Sequence, residues 1–390
     1  MPGPSSTSQR KSTRYLVIGA VFVFLISVWI LYPKAKQVWT APLGPALDLP
    51  TLTSTVVLPA EIPLTPTLVA MIESTDIAST PTAASSPTPT LIPTPTPAPL
   101  CGGPALTTIL AVGADNRENT YLYGLGDVIR IVRVDFVTPK ITVLAMPRDL
   151  WVEIPGISHF YNITHGKLNQ AYLYGGPGMG YYDGPGGGPG LLARTLDLNF
   201  GLRVDHYGAV NMSTFVKIVD AVGGLDIYLP TDVDGTPIDD KTEDMGYFTA
   251  GQHHFTGSEA LRFARIRKRY NDFTRMDNQN MVICALREKL TSPAVITKIP
   301  QIIGSFQDSV LTDLSPEQIS QLACLLPKVS RENLLFTSLP EEILEPGRVF
   351  SPALKDTTFI FNADFAEIQS YVDMFMAGEW PSEPDEPTCP

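Results

Sequence analysis

No GxSxG turn, no HExxH helix and no glycine-rich loop closing on Lys-Ser or Lys-Thr occurs in the 390 residues. A serine-hydrolase elbow, a zincin centre and a P-loop are therefore excluded. Cysteine is scarce: Cys101, Cys284, Cys324 and Cys389 lack the spacing that structural zinc requires. The adjacent pair His253 and His254 has no third ligand beside it in the chain, which leaves a zinc site there without support. Basic charge is also in short supply, with 28 Lys and Arg against 40 Asp and Glu, a net charge of −12 and a pI near 4.9. Such a balance argues against a general nucleic-acid binder, because attraction to phosphate backbones needs a broadly basic face. Between Lys36 and Arg117 there is no Lys or Arg at all.

What positive charge there is gathers in one place. RFARIRKRYNDFTR, residues 262–275, holds Arg262, Arg265, Arg267, Lys268, Arg269 and Arg275. Arg265 and Arg267 are two apart, so an extended chain there turns both guanidinium groups to one side. Two planar forks on one face suit a diphosphate, since Arg engages phosphate oxygens bidentately at any working pH. Further candidates stand where apolar strands end: Asp115 and Arg117 in GADNR, Asp127 in GDVIRIV and Arg148 in MPRD. Sheet ends are where α/β proteins place their sites. Two carboxylates facing several arginines invite Mg²⁺, or Mn²⁺ in its place, bridged to phosphate oxygens.

Residues 15–32, YLVIGAVFVFLISVWILY, form an uncharged run of 18 residues, about 27 Å as a helix and enough to cross a bilayer core. Arg10, Lys11 and Arg14 precede it, and its end stays bulky, which favours a signal anchor over a cleaved leader. We expect a cytoplasmic tail at 1–14, a single span at 15–32, a disordered Pro/Thr-rich stalk at 33–102, a folded domain at 103–377 outside the cell membrane, and a disordered tail at 378–390. An exterior compartment permits disulfides. Cys284 with Cys324, and Cys101 with Cys389, is one of three pairings, and free thiols are the other outcome.

Within 103–377, TTILAVGAD, DVIRIVRVDF and KITVLAMP read as strands, the last two as a hairpin across VTPK. Helical patterns follow at 191–198, 213–222, 257–263, 277–290 and 316–326, the third opened by a Thr256–Glu259 capping box. Strands and helices interleave, so the class is α/β. GGPGMGYYDGPGGGPG, with nine glycines in residues 175–190, reads as a mobile loop. The acidic stretch TDVDGTPIDDKTED reads as a solvated loop without EF-hand spacing.

ILAVGADNR, GDVIRIVRVDFVTPKITVLAMPRDLWVEIPG, KLNQAY, IVDAVGGLDIYLP and FTGSEALRFARIRKRYNDFTRMDNQ resemble, in order, the successive blocks of the LytR-CpsA-Psr family. The resemblance implies a three-layer α/β/α fold with a central mixed sheet. It also implies a phosphotransferase that moves a glycopolymer from a polyprenyl-pyrophosphate lipid to peptidoglycan. By the same resemblance Asp115 and Asp127 correspond to metal-binding acids, and Arg148, Arg265 and Arg267, with Arg275 and Gln279, to the pyrophosphate site. Arg117 and Lys167 correspond to further pocket residues. Gly126 and Asn278 stand where the family commonly has Arg. Two alternatives stay open: a lipid pyrophosphate hydrolase, and a non-catalytic wall-binding or regulatory protein of the same fold. If residues 15–32 span a bilayer, the full-length protein stays with the membrane pellet through alkaline carbonate extraction; its appearance in the supernatant would contradict the anchor.

Overall fold

The computed structural model describes residues 32–49, 97–116, 120–240, 242–267, 272–296, 302, 309–351, 355–382 and 389. The expected span, save Tyr32, lies outside the described residues, as do Arg117 and residues 50–96 of the Pro/Thr-rich segment. Among the described residues no helix is long and apolar enough to cross a membrane.

Strands follow one another as β1 (Leu106–Ala114), β2 (Gly126–Asp135), β3 (Lys140–Ala145), β4 (Trp151–Glu153), β5 (His165–Lys167), β6 (His206–Asn211), β7 (Leu225–Leu229), β8 (Val233–Gly235), β9 (Gly246–Phe248), β10 (Gly251–Phe255), β11 (Leu311–Thr312), β12 (Leu334–Ser338), β13 (Glu345–Ser351) and β14 (Asp356–Asn362). Six of them form one mixed sheet in the order β11-β6-β1-β2-β3-β12. β1 runs antiparallel to β2 and parallel to β6, while β3 runs antiparallel to β2 and parallel to β12. The expected hairpin closes with Asp135 opposite Lys140. Helices are α1 (residues 32–40), α2 (Leu168–Gly175), α3 (Gly187–Phe200), α4 (Met212–Ala221), α5 (Gly257–Phe263), α6 (Asp272–Thr291), α7 (Pro293–Ile296), α8 (Pro316–Leu325) and α9 (Phe365–Ala377).

Because strand side chains alternate, the sheet has two unlike faces. Leu110, Val112, Ile129, Ile131 and Leu144 join one core with α2, α3 and α9. From the other face Ala111, Gly113, Val128, Val132, Val143 and Val210 line a cavity of about 810 Å³, closed on its far side by Val282, Ile283 and Leu286 of α6. The small residues Ala111, Gly113 and Gly208 keep that space open. A second core joins β7, β10, α5 and α6 through Leu225, Ile227, Phe255, Phe263 and Val282. The capping box of α5 forms as expected: Glu259 N donates to Thr256 Oγ1 at 3.4 Å, and Thr256 N to Glu259 Oε2 at 2.9 Å.

Three expectations change. The glycine-rich segment is not loop throughout, since its last four residues open α3 and Gly188, Pro189 and Gly190 are buried. A Cβ on Gly175 would lie 2.6 Å from Gly187 O, so glycine lets α2 and α3 approach closely. The disulfides are Cys101–Cys324 and Cys284–Cys389, not Cys284–Cys324 and Cys101–Cys389. Leu100 N bonds Phe136 O and Gln321 Nε2 bonds Gly102 O, which brings Cys101 to α8, while Cys389 reaches the core beside α6.

The third change concerns the stalk. Residues expected to lead away from the domain pack on it: Leu43 N donates to Leu314 O, Tyr207 Oη donates to Pro45 O at 3.1 Å, and Leu47 and Leu49 lie against the main core. Gly44 has room for no Cβ, which would sit 2.7 Å from Thr312 O. Gly44→Val should undock this strap, so that the Leu43 amide exchanges with deuterium at least about tenfold faster while β1 and β2 keep their protection; unchanged exchange would show the strap to be unimportant.

Candidate active site

The site lies at the sheet end of the cavity. β1 ends at Ala114 and β2 begins at Gly126, two residues paired across the ladder, so Asp115 and Asp127 emerge side by side although twelve residues apart. Leu125 N donates to Asp115 Oδ1 at 2.6 Å and fixes that carboxylate. Burial first, and then repulsion by Asp127, raises the Asp115 pKa against the hydrogen bond from Leu125. Arg148 follows β3 and is 6 % exposed. Its Nη1 meets Asp127 Oδ2 at 2.5 Å, and its Nε lies 3.4 Å from Asp149 and 3.9 Å from Asp272. Burial alone would depress the Arg148 guanidinium, but these three carboxylates outweigh it and hold its pKa up.

α6 supplies the next layer. Arg275 bonds Asp272 one turn earlier, Nη2 to Oδ2 at 2.9 Å, and reaches Asp127 O at 3.4 Å. One turn later Gln279 donates to Ala264 O at 3.3 Å and accepts from Arg130 Nη2 at 3.0 Å. Lys167, where β5 passes into α2, binds Asp149 Oδ1 at 2.7 Å. Asn169 donates to Asp127 Oδ1 at 3.1 Å. Three carboxylates, Asp127, Asp149 and Asp272, thus interleave with Arg148, Arg275 and Lys167.

Asp115, Asp127, Arg148, Arg265, Arg267, Arg275 and Gln279 all line the one cavity. Lys167 does not line it but binds Asp149, which in turn lies 3.4 Å from Arg148, and Arg117 is outside the described residues. Arg265, Ile266 and Arg267 all line the cavity, and Arg265 lies in a turn closed by its N–H donating to Arg262 O at 3.1 Å, so the expected extended alternation does not form. Arg265 is held by Glu243 at 3.0 Å. Sequence reasoning missed Asp149, Asp272, Asn169 and Arg130. Asp149 and Asp272 had a signal, since each lies within three residues of a chosen arginine; Arg130 had one in being a charge inside an apolar strand. Gly126 and Asn278 bring no charge to the cavity. A Cβ on Gly126 would meet Tyr172 at 3.1 Å, and Asn278 is buried with its amide 3.5 Å from Phe263 O.

Among the described residues no three His, Cys, Asp or Glu side chains cluster to hold a metal. Asp115 and Asp127 line one cavity wall, and two carboxylates there are a donor set that suits a hard divalent ion completed by ligand oxygens.

A buried row of paired guanidinium groups and carboxylates borders a largely apolar cavity. The family model for the LytR_cpsA_psr family matches residues 104–371, and the chain belongs to that family. It is 28 % identical over 219 residues to the regulatory protein MsrR of Staphylococcus aureus (strain COL), covering 55 % of this chain and 58 % of that protein. It is 32 % identical over 217 residues to the polyisoprenyl-teichoic acid–peptidoglycan teichoic acid transferase TagU of Oceanobacillus iheyensis, covering 55 % and 61 %. The matches thus span about three fifths of these relatives. The fold is similar to the crystal structure of B. subtilis TagV, with TM-score 0.53 and 24 % identity over 72 % of this chain and 98 % of that one. It is also similar to TagT bound to LIIa-WTA, with TM-score 0.52 and 20 % identity over 70 % and 90 %.

If Asp272 is what stabilises the paired arginines, Asp272→Asn costs about 2–4 kcal/mol in thermal unfolding, and inorganic pyrophosphate recovers part of that loss. A neutral substitution with no pyrophosphate effect would remove Asp272 from the site.

Proposed function

We propose that this protein transfers a glycopolymer from a polyprenyl-pyrophosphate lipid to peptidoglycan, forming a phosphodiester. The observation that carries the reading is one cavity lined both by charged and by apolar groups: Arg148 and Arg275 border the same space as Val128, Val132 and Val143. A diphosphate with an isoprenoid tail has this polarity. Membership of the family and the likeness to TagU, whose name states a teichoic acid transfer to peptidoglycan, support the same reading.

In this mechanism the tail enters along the sheet face and the diphosphate lies at the arginines. Buried guanidinium groups hold it in place without reorganising as charge develops. An acceptor hydroxyl attacks the glycan-side phosphorus, its proton passing to a carboxylate at the mouth. The bond from that phosphorus to the bridging oxygen breaks, and the lipid monophosphate leaves with the electron pair. Mg²⁺, held by Asp115 and Asp127, would neutralise phosphate charge when bound. The other residues position: Asp149 and Asp272 aim Arg148 and Arg275, and Lys167 restrains Asp149.

We further propose that residues 15–32 anchor the chain in the cell membrane with residues 1–14 inside and the domain outside. Two disulfides suit an oxidising exterior. The docked strap, which begins at Leu43, would keep the domain close to the bilayer and its lipid substrate instead of at the end of a long stalk.

The full-length protein in lipid nanodiscs, given Mg²⁺, a lipid-linked glycan and a peptidoglycan acceptor, should yield glycan covalently held by the acceptor. Arg148→Ala, folded by circular dichroism, should lower the rate about 10²–10³-fold. Free glycan phosphate and lipid monophosphate without glycan adduct would select hydrolysis, and loss of neither donor nor acceptor would select the non-catalytic alternative.

A further inference from the structure

Arg130 is a buried cation with no ion-paired carboxylate among the described residues. It stands on β2 between Val128 and Val132, on the face that floors the cavity, and is 3 % exposed. Its cross-strand neighbours are Ala111 and Ala145, too small to cover its guanidinium. Nη2 donates to Gln279 Oε1 at 3.0 Å and to Met276 O at 3.2 Å, both neutral acceptors on α6. Nη1 is buried with no hydrogen-bond partner. Among the described residues no carboxylate forms an ion pair with it; Asp277 and Asp272 act only at a distance, and Arg275 repels it.

Arg148 and Arg275 differ from it in this respect. Each has an aspartate within ion-pairing distance, so the mouth of the cavity is neutralised from inside the protein. Arg130 lies among apolar residues, where an unpaired charge is costly and a methionine of similar volume would stabilise the fold better. A buried unpaired donor requires an explanation, and a ligand that brings the counter-charge provides one. Gln279 is held by Ala264 O and, with Met276 O, fixes Nη2, so the unpartnered nitrogen of this cavity-lining side chain is Nη1.

We propose that Arg130 is a further anion-binding residue of the donor site, whose Nη1 takes an oxygen of the lipid-side phosphate. This rests on the donor reading above. With the tail along the sheet, the phosphate attached to the lipid is the one nearer Arg130. When the bridging bond breaks, that phosphate leaves as a lipid monophosphate with one more negative charge, and Arg130 is placed to hold it.

The test measures binding of farnesyl diphosphate, farnesyl monophosphate and farnesol to the full-length protein in detergent. Arg130→Met should weaken both phosphorylated lipids about 10- to 100-fold, the loss of a hydrogen bond between charged partners. Farnesol should bind as before, and the ligand-free melting temperature should stay equal or rise. Arg130→Lys should keep most of the preference for phosphorylated lipid. Should the methionine variant not fold, Arg130→Gln against Arg130→Lys replaces it, with the preference lost in the first and kept in the second. Unchanged affinity for both phosphorylated lipids in the methionine or glutamine variant overturns the assignment while leaving the donor site intact. A parent protein that does not distinguish farnesyl diphosphate from farnesol overturns the donor reading, and this one with it.

Discussion

A charge taken out of water must be paired, and the site is organised around that constraint. Arg148 and Arg275, both 6 % exposed, are tolerable in the interior because Asp127, Asp149 and Asp272 stand between them. Those acids come from three separate stretches of chain, the start of β2, the turn after β3 and the first turn of α6. The ion-pair lattice therefore ties sheet to helix at the mouth of the cavity, and apolar packing ties them farther in. Under the proposed function, a phosphate ligand would enter a field already aimed by these pairs.

The sheet makes this possible through alternation. One face is filled by α2, α3 and α9, and the other is left unfilled because Ala111, Gly113 and Gly208 supply too little volume to meet α6. Core and cavity are thus the two sides of the same strands. The Cys284–Cys389 disulfide fastens α6 below Arg275 and Gln279, and Cys101–Cys324 fastens the start of the domain to α8. On the opposite edge, His206 bonds Asp313 at 3.3 Å and Tyr207 holds the strap.

Much of this was legible in the sequence. Strands β1 to β3 announce themselves through β-branched runs ending in Gly, Pro or Asp, and α5 through its Thr256–Glu259 box. Asp115, Asp127 and Arg148 could be chosen because they punctuate those runs. α6 starts five residues before the sequence pattern suggests, since Asp272 and Arg275 look like parts of a polar basic loop until their pairing across one helical turn is seen. α3 also starts earlier than its pattern, because glycine opposes helices locally and only the close approach of Gly175 shows why it is used. Disulfide pairing and the docked strap depend on contacts between residues more than a hundred positions apart, which no local pattern encodes.

A crystal structure of the protein with a polyprenyl diphosphate tests the central claim most directly. The account places phosphate oxygens within hydrogen-bonding distance of Arg148 and Arg275, with the isoprenoid chain along Val128, Val132 and Val143. A diphosphate held elsewhere on the surface, with that cavity empty of lipid, would contradict it.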